Sequence, residues 1–175
     1  VLFRSRLFGV PGQNMIYADV AGNIGWRPAV YIPLRKKGES LIPRPGHDPT
    51  YDWFGKVPFV EMPYLLNPEQ GYIVTANNKI IDNTFQYYIS GLWADPSRAQ
   101  RILERVQSLD NATVQDMKSI QLDVTSHFAR EITPYFLATE AGTERKNLKE
   151  AYRLLKNWKG EESIKSAAAL LFHSA

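Results

Sequence analysis

The sequence changes character at Asp95, and this change restricts the folds that the chain can adopt. From Met15 to about Ile89, the chain is rich in glycine, proline and aromatic residues and contains short strand-like runs. Beyond Asp95, apolar residues recur at helical spacing. A β region followed by a helical region predicts an α+β fold, with a β and loop part over residues 6–94 and a helical part over residues 95–175.

The stretch "NMIYADVAGNIGWRPA" predicts a β-hairpin in the first part. Met15, Tyr17 and Asp19 alternate on one face of the first strand, and Gly22 and Asn23 supply the turn. A long connection rich in proline and glycine follows the hairpin. Such a connection inside a compact domain is usually functional or held against another element.

Two helices are predicted directly after the change in character. Asp95 is expected to cap the first helix, with Pro96 at its first position. The second is expected to begin at Thr113, where an acidic residue three positions on indicates a capping box. Its apolar stripe continues at helical spacing as far as Phe128, and Pro134 is expected to interrupt it.

Two further helices complete the second part. The third is predicted over residues 144–158, and Gly160 suits its C-terminal stop. The fourth is predicted to begin near Glu161.

Composition excludes several classes of function. The chain has no cysteine, so thiol nucleophiles, disulfides and cysteine-ligated zinc are absent. Its net charge is +3 without a long basic run, which argues against a nucleic-acid partner. The nearest approach to a basic run, "LRKKGE", is interpreted as a solvated loop. No apolar run is long enough to cross a membrane, so no membrane partner is predicted.

The titratable residues do not by themselves define a reaction. The histidines His47, His127 and His173 lie far apart in the sequence and lack metal-ligand spacing, so no metal site is predicted. His47 stands beside Asp48 in a loop, but no nucleophile accompanies the pair. Asp48 and Asp52 are interpreted as turn residues. No phosphate loop, dinucleotide fingerprint or zinc-helix motif occurs.

A set of spaced motifs carries the functional prediction. "YADVAGNIGW", followed by "YDWFGKVPFVEMPYLLNPEQGYIVTANN", resembles the β-subunit of the penicillin acylase family of N-terminal nucleophile hydrolases. The similarity continues more loosely through "LWADPSRAQRI" and "LKNWKG". The matched positions in the stronger part are Tyr17, Ala18, Asp19, Gly22, Asn23, Ile24, Gly25, Trp53, Gly55, Pro58, Phe59, Glu61, Pro63, Asn67, Pro68, Gly71, Tyr72, Ile73, Ala76, Asn77 and Asn78.

The resemblance implies a role for the two asparagines. Alone, Asn77 and Asn78 would be interpreted as a turn, because asparagine tolerates left-handed backbone angles. In this family, an N-terminal serine attacks the amide carbonyl with its own α-amino group as base. An asparagine of the "ANN"-type motif donates to the oxyanion, which assigns that role to Asn77 and a loop-holding role to Asn78. Arg98 matches the arginine that supports this asparagine.

The same resemblance implies active-site and metal-binding residues that this chain is not expected to contain. The nucleophile serine, the residues of the acyl pocket and most ligands of one structural calcium ion fall upstream in the family. No cofactor is therefore predicted within this chain, and its substrate-binding residues are left unassigned. Asp82 lies in the region of a further family carboxylate, in an uncertain register. The family fold is a four-layer αββα sandwich, of which this chain would form a part.

Both ends of the chain are interpreted as cut. Residues 1–5, "VLFRS", read as the translation of a sequencing-adapter end, which predicts a non-native scar. The last residues, "IKSAAALLFHSA", stop inside an apolar helical segment. The chain is therefore predicted to be an internal fragment of a β-subunit, inactive alone. The resemblance implies three partners: the rest of that subunit, the α-subunit of the same precursor and a small N-acyl amide substrate. It also implies a location in the periplasm or outside the cell.

Two other functions remain open at this point. A non-catalytic module, or a degenerate homologue of the acylases, could bind a ligand through aromatic loops that contain Trp26, Tyr31, Trp53 and Tyr64. Electrostatic binding to an anionic polymer is a third hypothesis, which a charge of +3 without a patch supports poorly. A Ser, Thr or Cys after a glycine, about one domain upstream, would favour the enzyme.

Overall fold

A computed structural model describes residues 2–39, 41–139 and 146–174 of the chain. The chain divides into two compact units, residues 1–94 and residues 95–175, at the position where the sequence changes character. No helix within the described residues is both long and apolar enough to span a bilayer.

The first unit is built around the predicted hairpin. Strand β1 (Gln13–Ala18) pairs antiparallel with β2 (Ile24–Ala29), in a register that places Tyr17 opposite Gly25. The short strand β5 (Leu65–Leu66) pairs with the other edge of β2, so the sheet has the order β1-β2-β5. The turn after β1 is held by Asp19, whose carboxylate accepts hydrogen bonds from the backbone N–H groups of Ala21 and Asn23, both at 2.9 Å.

The first unit also contains a two-stranded sheet and a small core cluster. Strands β3 (Pro33–Arg35) and β4 (Trp53–Lys56) pair antiparallel, with a register irregularity between Leu34 and Arg35. Ile32, Val57 and Met62 are buried together and form the core cluster. Among the residues of this unit that the structure describes, three short 3₁₀ segments occur, at Leu2–Leu7, Pro49–Tyr51 and Phe59–Glu61.

The second unit contains five α-helices among its described residues. They are α1 (Ser97–Gln107), α2 (Val114–Gln121), α3 (His127–Ala138), α4 (Lys146–Asn157) and α5 (Ala167–Ser174). The α+β fold class predicted from the sequence is confirmed.

The predicted start of the first helix is close to the observed one. The Asp95 side chain accepts a hydrogen bond from Ser97 N at 2.9 Å, so it satisfies an N–H group of the first turn. The helix itself begins at Ser97, after Pro96.

The second predicted helix is wrong in its length, although its capping box is confirmed. Thr113 and Asp116 cap each other's backbone at the start of α2, but that helix ends at Gln121. The helix ends there because the Asp123 side chain accepts a hydrogen bond from the N–H of Thr125 at 2.8 Å, and Thr125 forms a β-bridge with Glu161.

Pro134 does not interrupt the helix in which it lies. It is inside α3, which continues to Ala138. A proline removes one N–H donor, and the remaining bonds of α3 and its packing preserve the helix.

The last two predicted helices differ from the observed ones mainly at their starts. Helix α4 ends at Asn157, close to the prediction, whereas part of its predicted beginning lies outside the described residues. Helix α5 begins at Ala167 and not near Glu161, because the backbone there is used in the bridge: Glu162 N donates to Val124 O at 2.9 Å.

Gly160 is expected to be intolerant of a side chain. Its φ is +80°, and a Cβ atom there would lie 2.9 Å from Ser126 O and 2.7 Å from Arg130 Cγ. We expect Gly160→Ala in the full-length protein to lower the free energy of unfolding by about 1–3 kcal/mol, because strain and a backbone clash add. Gly46→Ala is the matched control, since nothing lies within 4 Å of its Cβ position. Equal midpoints for both variants in urea unfolding would contradict this expectation.

Candidate active site

The backbone of Asn77 has an unusual conformation. Its φ is +61°, in the left-handed region that asparagine enters more readily than most residues. The carbonyl oxygen of Asn77 accepts a hydrogen bond from Ala94 N at 3.1 Å, which fixes the loop from one side. Ala76 beside it is buried, whereas Asn77 is exposed. The loop therefore has a fixed backbone and presents an amide side chain at the surface of its unit.

Asn78 holds the same loop from within. Its Oδ1 accepts a hydrogen bond from Ala76 N at 3.1 Å, and its Nδ2 donates to Lys79 O at 3.2 Å. These two contacts bridge the backbone on both sides of Asn77. They are the contacts expected of a residue that holds the loop, and they use the Asn78 amide within the loop.

Both asparagines line a cleft of about 380 Å³ in the first unit. Much of its wall is apolar and comes from β2, from the chain after it and from the segment before Ala94: Pro28, Val30, Ile32, Met62, Ile89 and Trp93. An apolar cleft with a few polar groups is the usual form of a small-molecule site. The role of Asn77 as an oxyanion donor stays a prediction.

Arg98 belongs to the second unit. It is the second residue of α1 and lines a cleft of about 590 Å³, together with Arg101, Arg105, Asp123 and His127. Its supporting role in the reaction also stays a prediction.

An ion-pair network lies along this second cleft. Both oxygens of Asp123 are engaged by Arg101, with Nη2–Oδ2 at 2.6 Å and Nε–Oδ1 at 3.2 Å. Arg105 Nη1 adds a contact to Oδ2 at 3.2 Å. The hydrogen bonds from Arg101 and Thr125 and the charge of Arg101 outweigh the effect of burial and lower the pKa of Asp123 to about 2. The carboxylate is thus charged at all ordinary pH values.

The other acidic residues singled out in the sequence have structural roles. Asp48 caps the Pro49–Tyr51 segment and accepts from Thr50 N at 2.9 Å, and Asp52 ends that segment, which confirms them as turn residues. Asp82 likewise accepts from Thr84 N at 2.8 Å.

The three histidines do not form a site together. His47 is exposed in its loop. His127 begins α3, with Nδ1 3.5 Å from Glu131 Oε1. His173 Nε2 lies 3.0 Å from Glu162 Oε1. No group of three His, Cys, Asp or Glu side chains that could hold a metal occurs in the described parts of the chain. The calcium ion implied by the resemblance stays a prediction.

The aromatic residues of the alternative binding module divide into two kinds. Trp26 is a core residue, buried, with its Nε1 donating to Asn14 Oδ1 at 2.9 Å. Tyr31, Trp53 and Tyr64 are exposed within this chain, and each has a cationic side chain near its ring. Within this chain, the set therefore consists of one core residue and three exposed residues.

Asn67 fastens its loop to the hairpin turn, although the sequence motifs alone indicate no role for it. Its φ is +48°, its Oδ1 accepts from Ile24 N at 2.9 Å, and its Nδ2 donates to Asn23 Oδ1 at 2.9 Å. These bonds attach the segment that leads to Asn77 to the hairpin turn. The Asn-Pro dipeptide was the available signal, since it favours turns.

The penicillin amidase family model matches residues 3–175, so the chain belongs to the penicillin amidase family. The family predicted from the sequence motifs is confirmed.

Individual relatives agree with this family. The chain is 37% identical over 183 residues to an acyl-homoserine lactone acylase from Pseudomonas fluorescens, with 96% of the chain and 22% of the relative covered. It is 33% identical over 122 residues to a penicillin acylase 2 proenzyme from a Pseudomonas species, covering 70% of the chain and 16% of the proenzyme. The chain thus spans about a fifth of the length of these relatives.

A solved structure shows the same fold. A thermostable penicillin G acylase from Alcaligenes faecalis matches with a TM-score of 0.68 at 27% identity, covering 94% of this chain and 30% of that one. The helices and short strands described above are therefore part of an N-terminal nucleophile hydrolase fold.

Proposed function

We propose that this chain is part of an acylase that hydrolyses the amide bond of small N-acyl compounds, with Asn77 as an oxyanion-hole donor. The observation that carries the proposal is the Asn77 loop: its backbone has φ +61° at Asn77 and is held by Ala94 and Asn78, and Asn77 lines a cleft whose wall is largely apolar. A donor that is fixed before the reaction costs no reorganisation when charge develops on the carbonyl oxygen.

The chemistry requires a hydrogen-bond donor near the carbonyl oxygen, and a side-chain amide can supply one. As the nucleophile attacks, the carbonyl oxygen becomes an oxyanion, and the Asn77 Nδ2–H group would donate to it. A neutral amide stabilises this charge without itself being a competing acid. The nucleophile would be a serine at the N-terminus of the mature β-subunit, outside these 175 residues, with its α-amino group as the base. For Arg98, we propose the supporting role that the family resemblance implies.

The substrate class follows from the relatives. Several are named acyl-homoserine lactone acylases and others penicillin acylases, so we propose N-acyl homoserine lactones or penicillins as substrates. The protein partners would be the remainder of the β-subunit and the α-subunit of one precursor. The periplasm or the extracellular space is the proposed location.

The experiment is amide hydrolysis by the full-length acylase that contains this chain. The self-processed enzyme would be incubated with a linear N-acyl homoserine lactone and with penicillin G, and the released amine would be quantified by mass spectrometry. We expect release of the free amine from at least one of them. A correctly processed enzyme that binds these amides without cleaving them would contradict the proposal and favour a degenerate, ligand-binding homologue.

A further inference from the structure

Arg27 of β2 is a partly enclosed cation that has no acidic partner within the described residues. Its guanidinium carbon lies 3.6 Å from the ring centre of Phe59 and 5.1 Å from that of Tyr64. Its Nη2 atom donates to the carbonyl oxygen of Phe59, whereas its Nε atom is buried and makes no hydrogen bond. Burial lowers the pKa of Arg27, because the charged form loses contact with water. A carboxylate is the acceptor that best matches such a guanidinium.

Apolar side chains extend this site at one edge of the three-stranded sheet. Leu66 of β5 pairs with Gly25, two residues before Arg27, so Leu66 and Arg27 lie on one face of the sheet. Strand β5 is the edge strand, and no described strand pairs with its outer side. Within this chain, Tyr64 and Leu66 are each 58% exposed, and Val60 is 80% exposed. We call this surface the β5 patch, and it consists of Arg27, Phe59, Val60, Tyr64 and Leu66.

The charge and composition of the β5 patch restrict what can cover it. The occupant must supply apolar contacts and one carboxylate, because an arginine that is covered without a counter-ion is costly. A second copy that used the same patch would bring two Arg27 guanidinium groups together, and like charges repel. The chain spans about a fifth of the acylases that it matches, so most of such a protein is available as a partner.

We propose that the β5 patch is an interface with the rest of the acylase precursor, where an apolar segment packs on Tyr64 and Leu66 and its Asp or Glu side chain pairs with Arg27. The segment lies outside residues 1–175. An arginine and a tyrosine inside an apolar surface are typical of contacts that contribute strongly to binding. This inference rests on the proposed precursor and does not depend on the role of Asn77.

The first test is site-specific photo-crosslinking in the full-length acylase. The photoreactive residue p-benzoylphenylalanine would replace Tyr64, and mass spectrometry of the irradiated, digested protein would locate the crosslink. We expect one dominant product, which joins position 64 to an apolar segment outside residues 1–175 that contains an Asp or Glu. The same photoreactive residue in place of Val20 is the control, because Val20 is fully exposed in the hairpin turn, and it should give little product.

Three outcomes of the crosslinking would overturn the inference. They are a crosslink between two copies of the acylase, a crosslink confined to residues 95–175, and a yield at position 64 that is no higher than at position 20. Amide hydrolysis is not measured in this experiment, so an acylase that proves inactive would contradict the proposed function and leave this result intact.

The second test addresses the ion pair. We expect Arg27→Glu to lower the melting temperature of the full-length acylase by about 2–4 °C or more, because it places two carboxylates together. Changing the acidic residue of the crosslinked segment to Arg in the same protein should recover most of this loss. Arg44→Glu is the matched control: Arg44 is exposed, 5.4 Å from the ring centre of Tyr51, and its reversal should have little effect.

The two tests decide the inference together. An absence of recovery in the doubly changed protein would overturn the pairing of Arg27 with a carboxylate. If Arg27→Glu does not fold, Arg27→Gln takes its place, since it removes the charge without reversing it. The loss for Arg27→Gln should then be smaller when the acidic residue of the crosslinked segment is also changed to its amide, and two losses that add fully would contradict the ion pair.

Discussion

Replacing Asn77 with alanine in the full-length acylase is expected to lower kcat by about 10²–10³-fold, which corresponds to about 2.7–4 kcal/mol of lost transition-state stabilisation. The amide would donate to an oxyanion that exists only after nucleophilic attack. Its loss should therefore affect kcat strongly and KM weakly, because ground-state binding does not use this bond. Steady-state kinetics with an N-acyl homoserine lactone or a penicillin measures both constants.

Two controls separate this effect from damage to the protein. Asn83→Ala removes a nearby exposed asparagine whose Oδ1 accepts from Lys79 Nζ at 2.6 Å, and it should leave kcat unchanged. Self-cleavage of the Asn77→Ala precursor should be complete, and gel electrophoresis measures it. An Asn77→Ala enzyme with wild-type kcat would remove Asn77 from the mechanism.

Phe172→Ala is expected to have the largest effect on stability. The Phe172 side chain is 7% exposed, and its ring centre lies 5.4 Å from that of Trp158, 5.8 Å from Phe136 and 6.2 Å from Phe128. Removing a buried phenylalanine ring leaves a cavity and typically costs about 3–5 kcal/mol. We expect a marked fall in the melting temperature and in the soluble yield of the full-length protein.

Leu170→Ala is the matched control in the same helix. Leu170 is 73% exposed within this chain, so its truncation should lower the melting temperature much less than that of Phe172. Thermal unfolding monitored by circular dichroism measures both variants under the same conditions. If Phe172→Ala were no more destabilising than Leu170→Ala, the aromatic cluster would not be the core of the helical unit.

The fold was predictable where local signals agree with packing. The hairpin of β1 and β2 follows from period-two alternation and a glycine turn, and the capping box at Thr113 follows from its two residue types. The break after Gln121 was not predictable from periodicity, because the apolar stripe continues across it. The break is held by the β-bridge between Thr125 and the distant Glu161, and a local pattern does not contain such a contact.

The site was predictable only in part, for a similar reason. The motif containing Asn77 and Asn78 singles out both residues, and the backbone contacts of Asn78 are those expected of a loop-holding residue. Asn67 and Asp123 received no role because their partners are distant in sequence: Asn67 contacts a residue 44 positions away. Side chains of this kind are identified by their hydrogen bonds and not by their spacing.

The most direct test of the central claim is the rate of the first turnover. Rapid-quench mass spectrometry of the full-length acylase would follow formation of the acyl-enzyme on the serine, in the wild type and in Asn77→Ala. If Asn77 donates to the oxyanion, acylation in the variant slows by about 10²–10³-fold while the substrate dissociation constant stays nearly the same. An unchanged acylation rate would contradict the claim that this loop supplies the oxyanion donor.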